Sequence, residues 1–201
     1  MDFNEVVKTR RSVRSYSQHD VPNEKLNKIF EAVCFSPSSY NLQPWKFVVV
    51  RSSEGKKKLF SCAQNNPHIL SSSLTVIVCG LLNPVRDADA VFENRVLLGR
   101  ATREQVEALK KQIVEKLSDE KTLLAWLNRS VSLAAMTLMH AARDQELDSC
   151  PIEGFDAECV KKTFSLPDDW LPLMLVTIGK AAGDAPVPYK KSVKEIVEYS
   201  D

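Results

Sequence analysis

Histidine and cysteine are too few and too scattered to suggest a metal centre in this chain of 201 residues. His19, His68 and His140 stand far apart. The five cysteines, Cys34, Cys62, Cys79, Cys150 and Cys159, are odd in number and have no paired short spacing, which argues against both a zinc site and a disulfide framework. Buried, reduced thiols are expected for most of them. The longest apolar stretch, Leu74 to Leu82, is far short of the roughly 20 residues a membrane helix needs. An excess of one charge is also missing. Twenty-seven basic against 26 acidic residues give a net +1, so no global field recruits nucleic acid or an anionic membrane. No G-x-G-x-x-G follows an expected strand, and there is no Walker A motif and no G-x-S-x-G elbow, so a Rossmann dinucleotide site, a P-loop and a nucleophile elbow have no support. The opening MDFNEVVKTRR runs acidic, apolar, then basic, the wrong order for a secretory leader, and a cytoplasmic setting is expected.

What is present is ordinary globular composition, 44% hydrophobic and 26% charged, with no repeat, linker or shift of composition to divide it. A single domain over residues 1–201 is expected. Apolar residues at helical spacing predict helices in DFNEVVKTR, in PNEKLNKIFEAVCF, in SSEGKKKLFSCAQ with Ser52 or Ser53 as N-cap, and in AECVKKTFSL. The longest is EKTLLAWLNRSVSLAAMTLMHAARDQEL, whose Ala/Leu/Met stripe belongs in the core or a subunit interface. Residues 89–117 read as one or two exposed helices. NNPHILSSS reads as a polar loop with a short helical turn, and DSCPIEGFD as a loop. Uniformly apolar WKFVVVR and LTVIVCGLL read as buried strands. WLPLMLVTIGKA is a strand whose Pro172 belongs at its start or on an edge. The tail VPYKKSVKEIVEY ends in a short strand or helix. Strands separated by helices make this an α+β or α/β domain.

Four stretches carry chemistry. RRSVR gathers Arg10, Arg11, Ser12 and Arg14 at a helix end, a set that suits a phosphate as well as solvent. SPSSYNLQPWKF offers Ser38, Ser39, Asn41 and Gln43 between Pro37 and Pro44, which stiffen it, and it serves equally as a turn. In CPIEGF, Pro151 fixes the backbone and Gly154 lets it approach a planar ligand. There Glu153 reads first as a charge at a helix start, and Cys150, with no evident histidine partner, as a packed thiol. Lys190 and Lys191 near the C-terminus would join Arg10 around one phosphate if the tail folds back.

Taken in order, RRSVRSY, SPSSYNLQPW, PIEGF, VTIGKAAGD and PYKKS resemble the nitroreductase family of FMN-dependent oxidoreductases over nearly the whole chain. The resemblance implies an α+β fold with a mixed central β-sheet flanked by helices. It also implies an intertwined homodimer with two FMN sites at the interface. Arg10, Arg11, Ser12 and Arg14 would come from one subunit, and Pro37, Ser38, Ser39, Asn41 and Gln43 from its partner. Arg10, Ser12 and Lys190 or Lys191 would hold the phosphate, whose charge of roughly −1.5 to −2 calls for about two cations. Arg14 would sit near the pyrimidine edge. Pro151, Ile152, Glu153 and Gly154 would lie along the isoalloxazine, with a backbone N–H of that run at N5. Asn65 would contact the pyrimidine, with Asn66 or Gln64 serving if the register differs. His68 stands where some relatives carry a lysine, and the tail reads Lys-Lys where relatives often have an arginine. Residues 85–118 match the family's variable cover.

The function implied is an FMN-dependent NAD(P)H oxidoreductase. NADH or NADPH would donate hydride to flavin N5, and a nitroaromatic or quinone-like acceptor would then take the electrons by a ping-pong mechanism. No protein side chain is expected to act as a catalytic acid or base. A flavin carrier or sensor without turnover would show the same binding motifs, and a dehalogenating or flavin-fragmenting branch would carry lid residues not identifiable here.

Overall fold

Eight consecutive residues with no charge among them, Leu74–Leu81, form the central strand β3, and every one of them is buried. Both edges of β3 are paired, which explains why it shows no polar alternation. On one side lies β2 (Trp45–Val50), with Trp45 opposite Gly80. On the other lies β5 (Trp170–Ala181), with Leu74 opposite Ile178. β5 also pairs with β1 (Tyr16–Ser17) and β4 (Asp148–Ile152), completing a five-stranded sheet. All these ladders are antiparallel. The sheet's parallel character rests on an isolated bridge between Ser12 and Ser149. These features come from a computed structural model that describes residues 1–86 and 88–200. Asp87 and Asp201, both inside the domain expected over 1–201, lie outside the described residues.

One finding corrects the sequence reading directly. DSCPIEGFD is not all loop, because its first half is the strand β4, which carries Pro151 opposite Val176. Pro172 lies near the start of β5, beside the register shift between Val78 and Cys79 and before β4 begins to pair at Leu175. A residue without an N–H costs little there.

Helices cover the sheet. α7 (Glu120–Asp144) is held at its start by Asp119, whose carboxylate accepts the Thr122 amide at 2.8 Å. Its inner stripe, Val131, Ala134, Ala135, Leu138 and Ala142, packs with α2 (Asn23–Cys34) and the sheet around Ile29, Val76, Val78 and Val176. Truncating a fully buried member such as Leu138 to alanine costs about 2–5 kcal/mol. On the opposite flank, α3 (Ser53–Cys62) and α8 (Ala157–Thr163) bury Leu59, Ile69, Ile77, Val160 and Leu175. Ser52, rather than Ser53, caps α3 through the Gly55 amide.

Residues 89–117 form two helices, α5 (Asp89–Leu97) and α6 (Arg103–Lys116), the second opened by a capping box between Thr102 and Gln105. Their inner faces are not exposed as expected. Phe92, Val106 and Ile113 close a third core with Leu42, Trp126 and Leu127. The short turn in NNPHILSSS is α4 (Pro67–Ser71), and the tail ends in α9 (Val193–Ile196), exposed throughout.

The cysteines also depart from expectation. Cys79 and Cys150 are buried thiols and Cys34 is exposed, but Cys62 and Cys159 form a disulfide. Spacing could not reveal it, because 97 residues separate the pair and only the packing of α3 on α8 brings their Cα atoms to 5.5 Å.

Candidate functional site

The helix α1 (Phe3–Thr9) delivers the basic cluster. It ends at Arg10, where the chain turns extended and runs alongside β4, the Val13 amide donating to the Ser149 carbonyl at 3.0 Å. The tail leaves β5 in the same place, since the Ala182 amide donates to the Ser15 carbonyl at 3.0 Å. The two ends of the chain therefore meet. Arg10, Arg11, Ser12 and Arg14 line a cavity of about 220 Å³ with Pro186, Pro188 and Lys190 of the tail. Lys191 is exposed and does not line it. Pro186 and Pro188 are lining residues that sequence reasoning missed, and PVPYKK could have shown them as a stiff segment beside the lysines.

The members of this cluster do different work. Arg11 is engaged locally: its guanidinium donates to the carbonyls of Lys8 and Arg10, closing the open end of α1. By contrast, Arg10, Arg14 and Lys190 have no carboxylate within ion-pair distance among the described residues. The nearby Arg143 is spent on Asp148 at 2.9 Å, and Asp148 also accepts the Ala181 amide at 3.0 Å, which fixes the β4–β5 junction behind the cluster. What remains is an unneutralised patch of positive charge with a serine hydroxyl inside it.

Three buried or half-buried groups register that charge. Burial lowers the His68 pKa, and the Arg14 charge lowers it further. His140 is lowered in the same way by burial and then by Arg10. Burial raises the Cys150 thiol, while Arg14, Arg10 and a hydrogen bond from Ser12 oppose the rise. His68, on α4, thus faces the same patch as Arg14. Its Nδ1 is buried and has no hydrogen-bond partner, an unusual state for a ring nitrogen.

Beyond Ile152, the end of β4, the chain turns outward through exposed Glu153 and Gly154. A Cβ on Gly154 would lie 3.4 Å from the Gln64 carboxamide oxygen, so this turn faces the turn after α3. There Gln64 and Asn65 both adopt left-handed backbone, φ 52° and 55°. Asn66 is occupied as the cap of α4, accepting the His68 amide at 3.0 Å. Gln64 and Asn65 therefore remain to meet a ligand, and Asn66 does not. Pro151 and Ile152 sit within β4, with Ile152 buried.

The loop holding Pro37, Ser38, Ser39, Asn41 and Gln43 is not part of this assembly. It leads into Trp45, level with Gly80 and Leu171, whereas the basic cluster flanks Ala181. The ten residue steps of β5 from Leu171 to Ala181 hold the two groups on the order of 30 Å apart. The loop is also partly self-satisfied. The Ser38 hydroxyl accepts the Gln43 amide at 2.9 Å, and the Gln43 carboxamide donates to the Asn41 carbonyl at 3.3 Å. Tyr40, Asn41 and Gln43 all have positive φ, so the loop holds a strained and definite shape.

A mononucleotide fits these donors. Two free guanidiniums, an ammonium and a hydroxyl suit a phosphate monoester, and Gly154 with the Gln64 and Asn65 carboxamides suits the edge of a flat polar ring.

A family model described as the nitroreductase family matches residues 7–180. The chain is 32% identical to the Bacillus subtilis protein MhqN, named as a candidate NAD(P)H nitroreductase, over 98% of each. Its fold matches the crystal structure of YdfN of Bacillus subtilis with a TM-score of 0.90, at 33% identity and 99% coverage of both chains. It also matches a nitroreductase-type protein of Exiguobacterium sibiricum solved in complex with FMN, with a TM-score of 0.87, at 28% identity and 100% and 98% coverage.

Proposed function

The chain belongs to the nitroreductase family, and from that premise we propose that it is an FMN-dependent NAD(P)H oxidoreductase acting as a homodimer. The observation that carries this reading is the patch formed by Arg10, Arg14 and Lys190, three cations without a carboxylate partner among the described residues, around one small cavity. When bound, FMN supplies hydride acceptance from NADH or NADPH and electron return to a nitroaromatic or quinone-like acceptor, in two half-reactions that share one slot.

The chain's own contribution is position and field. Arg10, Lys190 and the Ser12 hydroxyl hold the phosphate. Arg14 places positive charge beside the ring, and burial and Arg14 both disfavour the charged form of His68. Backbone from Pro151 to Gly154 lies along the ring, and Gln64 with Asn65 reads its polar edge. No side chain is assigned a proton-transfer role in this reading: Glu153 is exposed, and burial raises the Cys150 thiol.

Two observations support a homodimer. The Ser38–Gln43 loop is too far from its own subunit's cluster to share a ligand with it, so a second copy would bring the two together. The tail exposes Val187, Tyr189, Val193, Ile196 and Tyr199, and α7 exposes Leu133 and Met136, as expected of residues covered by a partner. Among the described residues no helix is long and apolar enough to cross a membrane.

The test is an absorbance spectrum of the purified protein followed by anaerobic additions. Bound FMN should give a yellow protein that bleaches with NADH or NADPH and regains colour with menadione or a nitrofuran. A protein that stays colourless after incubation with FMN overturns the reading, and so does bound FMN that neither nucleotide bleaches.

A further inference from the structure

The Cys62–Cys159 bridge lies outside the chemistry described so far, yet it joins the two turns that face each other at the site. Cys62 is the last residue of α3, and the next residues are the Gln64–Asn65 turn. Cys159 lies in the first turn of α8, which follows directly on the Glu153–Gly154 turn. A second link runs beside it: the Asp156 amide donates to the Cys62 carbonyl at 2.8 Å, and the Asp156 carboxylate accepts the Cys159 amide at 3.0 Å. Bond, cap and turns therefore form one mechanical unit.

The surroundings suit a thiol pair as well as a disulfide. The Thr163 hydroxyl lies 3.4 Å from the Cys62 sulfur and 4.0 Å from that of Cys159, near enough to partner a free thiol on either side. Cys159 is half-buried and Cys62 is buried, so one sulfur is reachable and the other is sheltered. That asymmetry is what a reversible couple needs, with one thiol to attack the oxidant and one to resolve the mixed disulfide.

We infer that Cys62 and Cys159 are a reversible dithiol–disulfide modification site whose closed form clamps the Gln64–Asn65 and Glu153–Gly154 turns and so tightens FMN binding. The effect on FMN rests on the proposed function above. The oxidant is a low-molecular-weight disulfide of the glutathione class. The Cys159 thiolate attacks one of its sulfurs, giving a mixed disulfide and releasing one small thiol. Cys62 then attacks the Cys159 sulfur of that mixed bond and releases the second. Two protein thiols are oxidised and one small disulfide is reduced to two thiols. The protons leave with the released thiols, and excess thiol runs the sequence backwards.

The experiment uses the full chain carrying Cys34→Ser, which removes the exposed thiol that could link molecules. It is equilibrated across oxidised-to-reduced glutathione ratios, and a second sample also carries Cys159→Ser. Mass spectrometry should show loss of two hydrogens and a linked Cys62–Cys159 peptide that reverses with excess thiol. Hydrogen exchange in residues 63–66 and 153–156 should slow about threefold or more on oxidation, and the FMN dissociation constant should fall by about threefold or more. Neither change should occur in the Cys159→Ser protein. Failure to form the bond, or to reopen it, overturns the inference, and so does bond formation without a change in exchange. If neither form binds FMN, the proposed function falls and the exchange data alone decide the couple. If FMN binds equally to both forms, the coupling is wrong and the proposed function stands.

Discussion

The Tyr16 hydroxyl meets the Thr177 hydroxyl at 2.8 Å, in a buried position directly behind the basic cluster. Thr177 in turn donates to the Cys150 carbonyl at 3.2 Å, so one hydroxyl ties β1, β4 and β5 together. Burial raises the Tyr16 phenol above its usual range, and the bond to Thr177 opposes the rise, so the pair acts as a neutral brace. Tyr16→Phe should cost about 1 kcal/mol, because Thr177 keeps its second partner. Thr177→Val removes the shared hydroxyl and should cost more, about 1–3 kcal/mol. Urea denaturation of the two variants gives the order, and equal costs would contradict the brace.

Arg10→Gln and Arg14→Gln should each weaken FMN binding by about 10–100-fold, the loss expected for a charge-assisted hydrogen bond at a site without a compensating carboxylate. Lys190→Ala, at an exposed position, should cost less than about tenfold. Arg11→Gln should change affinity by less than about threefold, because that guanidinium serves the α1 carbonyls. Quenching of flavin fluorescence measures all four.

Stability should rise with pH on the approach to about 6.5 from below. His68 and His140 both have folded values below the ordinary 6.5. The unfolded chain therefore binds more protons between the depressed values and 6.5. Their contribution is complete above 6.5, falls away as pH drops towards the folded values, and is flat below them. Carboxylates titrate lower and leave this window to the histidines. His68→Gln should flatten the slope without abolishing it, since His140 remains. Thermal melts at half-unit intervals of pH would reveal an unchanged slope if His68 does not contribute.

Two strand glycines should respond differently to alanine. A Cβ at Gly179 would meet the Tyr16 ring at 2.9 Å and the Ser73 backbone nitrogen at 3.1 Å, neither of which yields easily. One at Gly80 would meet the ends of the Leu173 and Leu127 side chains at 2.9 and 3.4 Å, which can turn aside. Gly179→Ala should cost about 1–3 kcal/mol and Gly80→Ala less than about 1 kcal/mol. The reverse order, read from denaturation midpoints, would contradict this account.

Removal of residues 186–201 should leave a folded protein with weaker FMN binding and a weaker dimer, because that segment contributes Lys190 and the exposed Val187, Tyr189, Val193, Ile196 and Tyr199. Light scattering should report twice 22.6 kDa for the full chain and a smaller, concentration-dependent mass for the truncated one.

The helices and the two apolar strands were legible because periodicity and caps agree. Ser52, read as a possible cap, stands just before an amphipathic run, and the structure adds Asp119 and Thr102 in the same role. β4 was not, because Asp148, Ser149 and Pro151 are turn residues by composition and become a strand only by pairing with β5. At the site, three arginines in five residues suited a phosphate as well as solvent, and the tail lysines joined them only on the condition that the tail folds back, which Lys190 meets by lining the same cavity. Two facts could not be read at all. Arg11 is diverted by backbone carbonyls, which have no sequence signature. The distance from Ser38 to Arg10 depends on strand register, which no local pattern encodes.

The covalent tie between Cys62 and Cys159 has a consequence for cleavage. Everything from Ala63 to Glu158 hangs from it as a closed ring, including the exposed Gly99 and Arg100 between α5 and α6. A protease that nicks the chain there would produce two pieces still holding hands. Gel electrophoresis without reductant would therefore show one full-size band, and adding thiol would split it in two.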